Sequence, residues 1–167
     1  MTSLSLVLRP ERVEDASAIA RLEARAFGPG RFARTAYRLR EGGPHRLDLG
    51  VTASVGSFLV GSVRMSPVRA GAAGFLMLGP LAVDPSFEGR GIGTALTNAA
   101  IDGARDAGDG LVMLVGDSPY YARFGFTPVP PGRLVMPGPV DPARLLWLEL
   151  AGGYAAGLTG PVEAARG

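Results

Sequence analysis

An α+β fold is what the amino-acid sequence predicts: a mixed, mostly antiparallel sheet with helices on its faces. Three observations lead there. Apolar residues recur at helical spacing in some segments and alternate or run unbroken in others. Three consecutive strand-like runs are joined by short glycine-containing connections, the pattern of an antiparallel meander. A later run, Leu111 to Val115, has no polar position at all, so both its faces are expected to be covered.

The elements follow in order. Leu4, Leu6 and Leu8 alternate with Ser5 and Val7 as a first strand, which Pro10 ends. Asp15 then precedes Ala16, Ile19, Ala20, Ala26 and Phe27, a helix with an acidic start, closed by Gly28-Pro29-Gly30. An arginine-rich helix is expected from Phe32 to Arg40. The meander strands are placed at Leu47–Ala53, Phe58–Met65 and Phe75–Val83, with Gly71 to Gly74 read as a flexible connection. After a glycine-rich turn, Ile92, Leu96, Ala99, Ala100 and Gly103 mark one face of a helix. Small residues there let it lie close to a sheet. Leu111–Val115 is the fifth strand. Pro119 to Phe124 suits a short helical turn, Pro128, Pro130 and Pro131 rule out regular helix, and Leu145–Leu150 reads as a late strand. The order strand, helices, three strands, helix, strand, short helix, strand is neither a βαβα alternation nor all-β. No repeat or linker divides it, so residues 1–167 are expected to form one domain.

Composition removes several kinds of chemistry. All 17 basic residues are arginine, so Schiff-base chemistry and a phosphate-loop lysine are excluded. The net charge is only +2 and the arginines are scattered, which argues against nucleic-acid binding. Arg31, Arg34, Arg38 and Arg40 share a helical spacing and read as a solvated face rather than a binding patch. With no cysteine there is no disulfide, thiol nucleophile or thiolate metal site. One histidine, His45, and no tight acidic cluster make a metal site unexpected. No stretch approaches the roughly 20 apolar residues of a membrane span. Met1 to Leu8 lacks the features of a signal peptide, so the cytoplasm is the expected compartment.

The chemistry begins at Leu81-Ala82-Val83-Asp84-Pro85-Ser86-Phe87-Glu88-Gly89-Arg90-Gly91-Ile92-Gly93-Thr94. A strand runs into a turn with three glycines in five residues, and the turn runs into a helix. Glycine lets a backbone approach a ligand closely. The unpaired N–H groups of the first helical turn, with the helix dipole, suit an anion. Thr94 adds a hydroxyl and Arg90 a cation. A dinucleotide fold would place G-x-G-x-x-G after the first strand of a βαβ unit; here G-x-G-x-G comes late, after a meander. A triphosphate loop would need its lysine. A turn that merely packs a helix on the sheet remains the alternative for the glycines alone.

Two further matches bear on that choice. Val83-Asp84-Pro85 followed by Glu88-Gly89-Arg90-Gly91-Ile92-Gly93 resembles the central Q/R-x-x-G-x-G/A motif of the GNAT superfamily of N-acetyltransferases, with Glu88 departing at the Gln/Arg position. Tyr121-Ala122-Arg123-Phe124-Gly125-Phe126 resembles that family's Y-x-x-x-G-F element. More narrowly, Gly79-Pro80-Leu81-Ala82-Val83 and Gly116-Asp117-Ser118-Pro119-Tyr120-Tyr121 resemble the G-P-L-A-V and G-D-x-x-Y-Y elements of the YhbS-like branch of bacterial predicted N-acetyltransferases. The resemblance covers Phe58 to Phe126 well.

That resemblance implies the acyl-CoA N-acyltransferase fold, in which the fourth and fifth strands, Phe75–Val83 and Leu111–Val115, run parallel and splay apart. It implies acetyl-CoA as cosubstrate without a metal. The pantetheine arm would pair with the main chain around Leu81, Ala82 and Val83, and the pyrophosphate would lie on Glu88, Gly89, Arg90, Gly91, Ile92, Gly93 and Thr94. The acceptor would be an amine, on a small molecule or a peptide, that attacks the thioester directly. Family members are commonly dimers, so a homodimer is allowed. Tyr121 matches the general acid for the departing thiolate, or else packs the cofactor wall; Tyr120 reads as core or wall. The fourth strand carries no ionisable side chain to act as base. Asp117 is a candidate base, with a helix N-cap as its other reading. Glu23 is read as solvent-facing and His45 as a loop residue, and a water relay would also serve. A non-catalytic acyl-CoA-binding sensor or partner protein of the same fold is the alternative function.

Overall fold

The computed structural model describes residues 5–28, 35–41 and 44–165. Leu4, the start of the arginine-rich helix with Phe32, Arg31 and Arg34, and most of the Gly28–Arg31 connection lie outside the described residues.

Among the described residues, nine strands build one sheet system. They are β1 (Leu6–Pro10), β2 (Val51–Val55), β3 (Phe58–Ala70), β4 (Ala73–Val83), β5 (Leu111–Val115), β6 (Thr127–Pro128), β7 (Leu134–Val135), β8 (Leu145–Glu149) and β9 (Gly160–Ala164). The main path runs β1-β2-β3-β4-β5-β8-β6, with β9 pairing both β3 and β7. Strands β1 to β4 are antiparallel neighbours, and β4 and β5 are parallel. The expected meander is therefore present, and so is the parallel central pair. Among the described residues, four α-helices accompany the sheet: α1 (Ala16–Phe27), α2 (Thr35–Glu41), α3 (Ile92–Asp106) and α4 (Ser118–Tyr121).

Side-chain alternation divides the core in two. Leu76, Leu78, Val112 and Leu114 face α3, meeting Ile92, Leu96 and Ala100. Phe75, Met77, Leu111 and Met113 face the other way, toward Leu39 of α2 and toward Trp147, Leu158 and Val162. Strand β5 is covered on both faces for that reason. Helix α1 ends where Gly28 takes φ 71° and donates its N–H to Ala24. Its Ile19 and Leu22 are fully buried.

Several boundaries differ from the expectation. Leu47–Leu49 is a 3-10 turn, and the strand begins only at Val51. Strand β3 continues through Pro67 to Ala70. Its outer edge has no strand partner between Arg64 and Pro67, and the Pro67 carbonyl faces that edge to accept from Ala165. The missing N–H of Pro67 points the same way and breaks no ladder bond. The Gly71–Gly74 stretch is a tight turn, because β4 starts at Ala73. The buried face of α3 is Ile92, Leu96, Thr97, Ala100, Ile101 and Ala104, with Gly103 half-buried beside Leu49.

Candidate active site

The parallel pair β4–β5 holds for only two positions, Leu76 with Val112 and Met77 with Met113. Beyond them the strands part. The cause lies in β4: its register against β3 jumps from Leu78–Met65 to Leu81–Val63, so Gly79 and Pro80 form a bulge. Gly79 adopts φ 129°, open to glycine alone. A cleft of about 930 Å³ fills the gap, with Leu78 to Leu81 on one wall and Leu114 to Asp117 on the other.

Past the bulge, the free edge of β4 faces this cleft. Asp84 donates its N–H to Val60 of β3. Hydrogen-bonding direction alternates along an antiparallel strand, so Ala82 also faces β3 while Leu81 and Val83 turn their N–H and C=O groups toward the gap. Ala82 is fully buried, whereas Leu81 and Val83 are half-buried.

The glycine turn leads from β4 into α3, and Gly93 at its end lies beside Leu81 and Tyr120 of the cleft lining. Asp84 accepts from Ser86 N–H (2.9 Å) and from Arg25 (3.1 Å), which fixes the departure from β4. Gly89 and Gly91 both adopt φ 77°, Gly91 being the N-cap of α3. Nothing lies within 4 Å of where a side chain would start on either. The turn thus presents bare backbone beside the first N–H groups of a 15-residue helix. Glu88 and Arg90 are exposed, and the Arg90 guanidinium lies 5.1 Å from the Phe87 ring centre. Ile92 points into the core.

Helix α4 brings both tyrosines to the cleft. Tyr120 places its hydroxyl 3.3 Å from Thr94 Oγ1, over the first turn of α3. Gly93 is small for that reason: a β-carbon there would sit 3.2 Å from the Tyr120 oxygen. Tyr121 packs edge-on against Phe126 at 5.8 Å, and its ring lies over Gly116, where a β-carbon would come within 2.5 Å. Burial pushes the Tyr121 phenol up from 10.0 to about 12; Tyr120 and Asp117 add to the rise and Arg144 opposes it. Asp117 caps α4, accepting from Tyr120 N–H at 3.3 Å, and is itself exposed.

The wall of the cleft formed by α1 and α2 holds groups that sequence reasoning placed elsewhere. Glu23 is not solvent-facing: its side chain is 16% exposed and lines the cleft with Phe27, Tyr37 and Arg40. Arg40 is likewise turned inward, its guanidinium 3.5 Å from the β-carbon position of Gly79. Periodicity could not show this, because the face of α1 that borders a cleft has the same polar pattern as one that borders water. His45 lies in a loop, as expected, and contacts Glu11 at 2.9 Å. Burial raises the Glu11 carboxyl, and hydrogen bonds from His45 and Arg64 overcome this, leaving it below the ordinary carboxylate range. Among the described residues no three His, Asp or Glu side chains gather as a metal would need, and no helix is long and apolar enough to cross a membrane.

Residues 16–126 match the model of the acetyltransferase (GNAT) family. The chain is 33% identical over 123 residues to the uncharacterized N-acetyltransferase YhbS of Escherichia coli strain K12, spanning 72% of this chain and 73% of the relative. Its fold is similar to the crystal structure of Escherichia coli YhbS in complex with CoA, with TM-score 0.80, 28% identity, and coverage of 99% of this chain and 92% of that one. It is also similar to a GNAT family acetyltransferase from Brucella melitensis in complex with acetyl-CoA, with TM-score 0.62, 28% identity, and coverage of 85% and 94%. A family model that matches residues 16–126 and a relative 33% identical over 72% of the chain agree: the chain belongs to the GNAT family of acetyltransferases, in its YhbS-like branch.

Proposed function

We propose that this chain is an acetyl-CoA-dependent N-acetyltransferase that moves an acetyl group to a primary amine by direct attack. The observation that carries the reading is the parting of β4 and β5 immediately beside the bare glycine turn. The cleft fits the cosubstrate on two counts. Leu81 and Val83 offer unpaired main-chain groups along one wall, as an extended amide-bearing arm needs. Gly89 to Thr94 offers uncovered backbone and helix N–H groups, as a pyrophosphate needs. The bound thioester supplies an activated acetyl group. The Val83 N–H is positioned to donate to oxygen charge that develops there. Tyr121, held protonated by burial, is the donor for the departing sulfur. Glu88 and Arg90 remain assigned to the pyrophosphate turn, through their main chain. The acceptor is an amine-bearing small molecule or peptide, entering past α1 and α2.

The capping of α4 by Asp117, and a β4 without ionisable side chains, favour one other reading: a protein of this fold that binds acyl-CoA as a sensor or partner and does not catalyse. Thiol release from acetyl-CoA across a panel of amines, polyamines and peptides separates the two. Turnover is expected; binding of acetyl-CoA by calorimetry without release for any amine would favour the sensor. Tyr121→Phe is expected to lower kcat about 100-fold while changing acetyl-CoA affinity less than threefold. Equal turnover in that variant would remove Tyr121 from the acid role.

A further inference from the structure

Behind the acceptor mouth lies a second cavity of about 170 Å³, lined by Glu23, Tyr37, Arg40, His45, Arg64 and Ser66, with Pro80 of the β4 bulge. It shares Glu23, Tyr37, Arg40 and Pro80 with the main cleft. The two spaces therefore meet at Glu23, next to the bulge where β4 turns its edge to the acetyl position. The lining is polar, and the volume holds roughly five waters.

Arg64 organises the chamber. Its Nε and Nη2 bond the two oxygens of Glu11 at 3.2 and 3.1 Å, and its Nη1 reaches Glu23 only at 4.0 Å. The guanidinium is thus committed to Glu11, whose side chain is 3% exposed. His45 sits at the outer end, 2.9 Å from Glu11 and 27% exposed. The charged and titratable groups around His45 are Glu11 from the β1–α1 connection, Arg64 from β3, Glu23 from α1, and Arg40 and Tyr37 from α2. Among the described residues, those lining the cavity with Glu23 include Arg64, Arg40 and Tyr37.

We propose that Glu23 is the base that takes the acceptor's proton, and that the side cavity carries this proton through water to His45 and out to solvent. The proposal rests on the transferase reading above. The acceptor arrives as an ammonium, R–NH3+. One proton passes to the Glu23 carboxylate, directly or through cavity water. The freed nitrogen lone pair forms the C–N bond as the C–S bond breaks. Tyr121 protonates the sulfur and regains a proton from the nitrogen as the amide forms. One proton per turnover is left on Glu23, and it leaves by way of His45. Glu23 is a catalytic residue in this scheme; Glu11 and Arg64 are positioning residues that hold the relay.

For an amine that the wild type turns over, Glu23→Gln is expected to reduce kcat at least 100-fold, with acetyl-CoA affinity within twofold, and Glu23→Asp to recover part of the rate. His45→Gln is expected to lose about tenfold in kcat, restored in part by added imidazole. A Glu23→Gln kcat within threefold of wild type overturns the proposal, and a His45→Gln kcat equal to wild type overturns the exit through His45. Absence of turnover by the wild type with every amine overturns the transferase reading and the proposal with it, whereas turnover by the wild type that Glu23→Gln retains overturns the proposal alone.

Discussion

Gly91 and Gly93 are two glycines of one turn with different physical reasons to be glycine. Gly91 has φ 77° and open space above it; Gly93 lies inside α3 with the Tyr120 hydroxyl against it. Gly91→Val forces a β-branched residue into the left-handed region, at about 1–2 kcal/mol, and puts the branch where backbone must meet phosphate. Calorimetry is expected to show at least tenfold weaker acetyl-CoA binding, and normal binding would mean that the pyrophosphate lies elsewhere. The motif spacing made both glycines legible as parts of one cradle, but not their separate constraints, since neither a φ angle nor a tyrosine 27 residues away is written in G-x-G-x-G. Tyr121 was legible by pattern; the cause of its high pKa, enclosure against Gly116 and Phe126, was not. A phenol held at about 12 keeps its proton throughout the neutral and mildly alkaline range. Tyr121→Phe is therefore expected to lower the kcat–pH profile by a constant factor up to about pH 10, without adding or removing a limb.

At the scale of elements, the position of α3 decides whether the turn can work. Gly61 of β3 is the point where α3 comes down on the sheet. A β-carbon there would lie 2.8 Å from Leu96 and 3.0 Å from Ile92, the first buried residue of the helix. Gly61→Val is expected to destabilise the fold by about 1–3 kcal/mol, measured by denaturant unfolding, and to lift the helix N-terminus from the sheet. Acetyl-CoA affinity should fall with it, although Gly61 touches no part of the cleft. Elements of this kind were readable where local pattern and tertiary use agree. Helices α1 and α3 carry a periodicity, and strands β5 and β8 an apolar run, that their packing fulfils. The strands that escaped reading, β6, β7 and β9, are short and lie in stretches rich in glycine and proline. Val68 to Ala70 of β3 supply the pairing for β9, far back in the chain, and an Arg69–Glu163 ion pair at 2.9 Å spans the contact. Glu23 and Arg40 escaped for a related reason: which polar residues border a cleft is settled by how α1 and α2 lie on the sheet, and only the assembled fold expresses that.

The whole molecule is tied together on its acceptor side by a short connection, Glu11 to Asp15, between the edge strand β1 and α1. Two carboxylates hold it. Glu11 is bonded to Arg64 and His45, and its N–H reaches Gly50. Asp15 receives two 2.7 Å bonds from Arg9 and a third from Arg12 N–H. The Arg9 bonds pull the Asp15 carboxyl from 3.8 down to about 2, against the opposing effect of burial and with help from Arg12. An unfolded aspartate keeps its ordinary value of about 3.9, so the folded state binds the proton less readily. The stabilisation is whole above about pH 4, falls as the solution is acidified, and is gone once the pH passes below about 2. Asp15→Asn is expected to lower stability by about 1–2 kcal/mol at neutral pH, and to flatten the unfolding free energy between pH 4 and 2 relative to wild type, measured by chemical denaturation across that range. Because α1 carries Glu23, loosening of this connection reaches the Glu23 wall of the cleft before the glycine turn. Acidification of the wild type should therefore cost amine turnover earlier than it costs acetyl-CoA binding, and loss of both together would place the first acid-sensitive contact outside this connection.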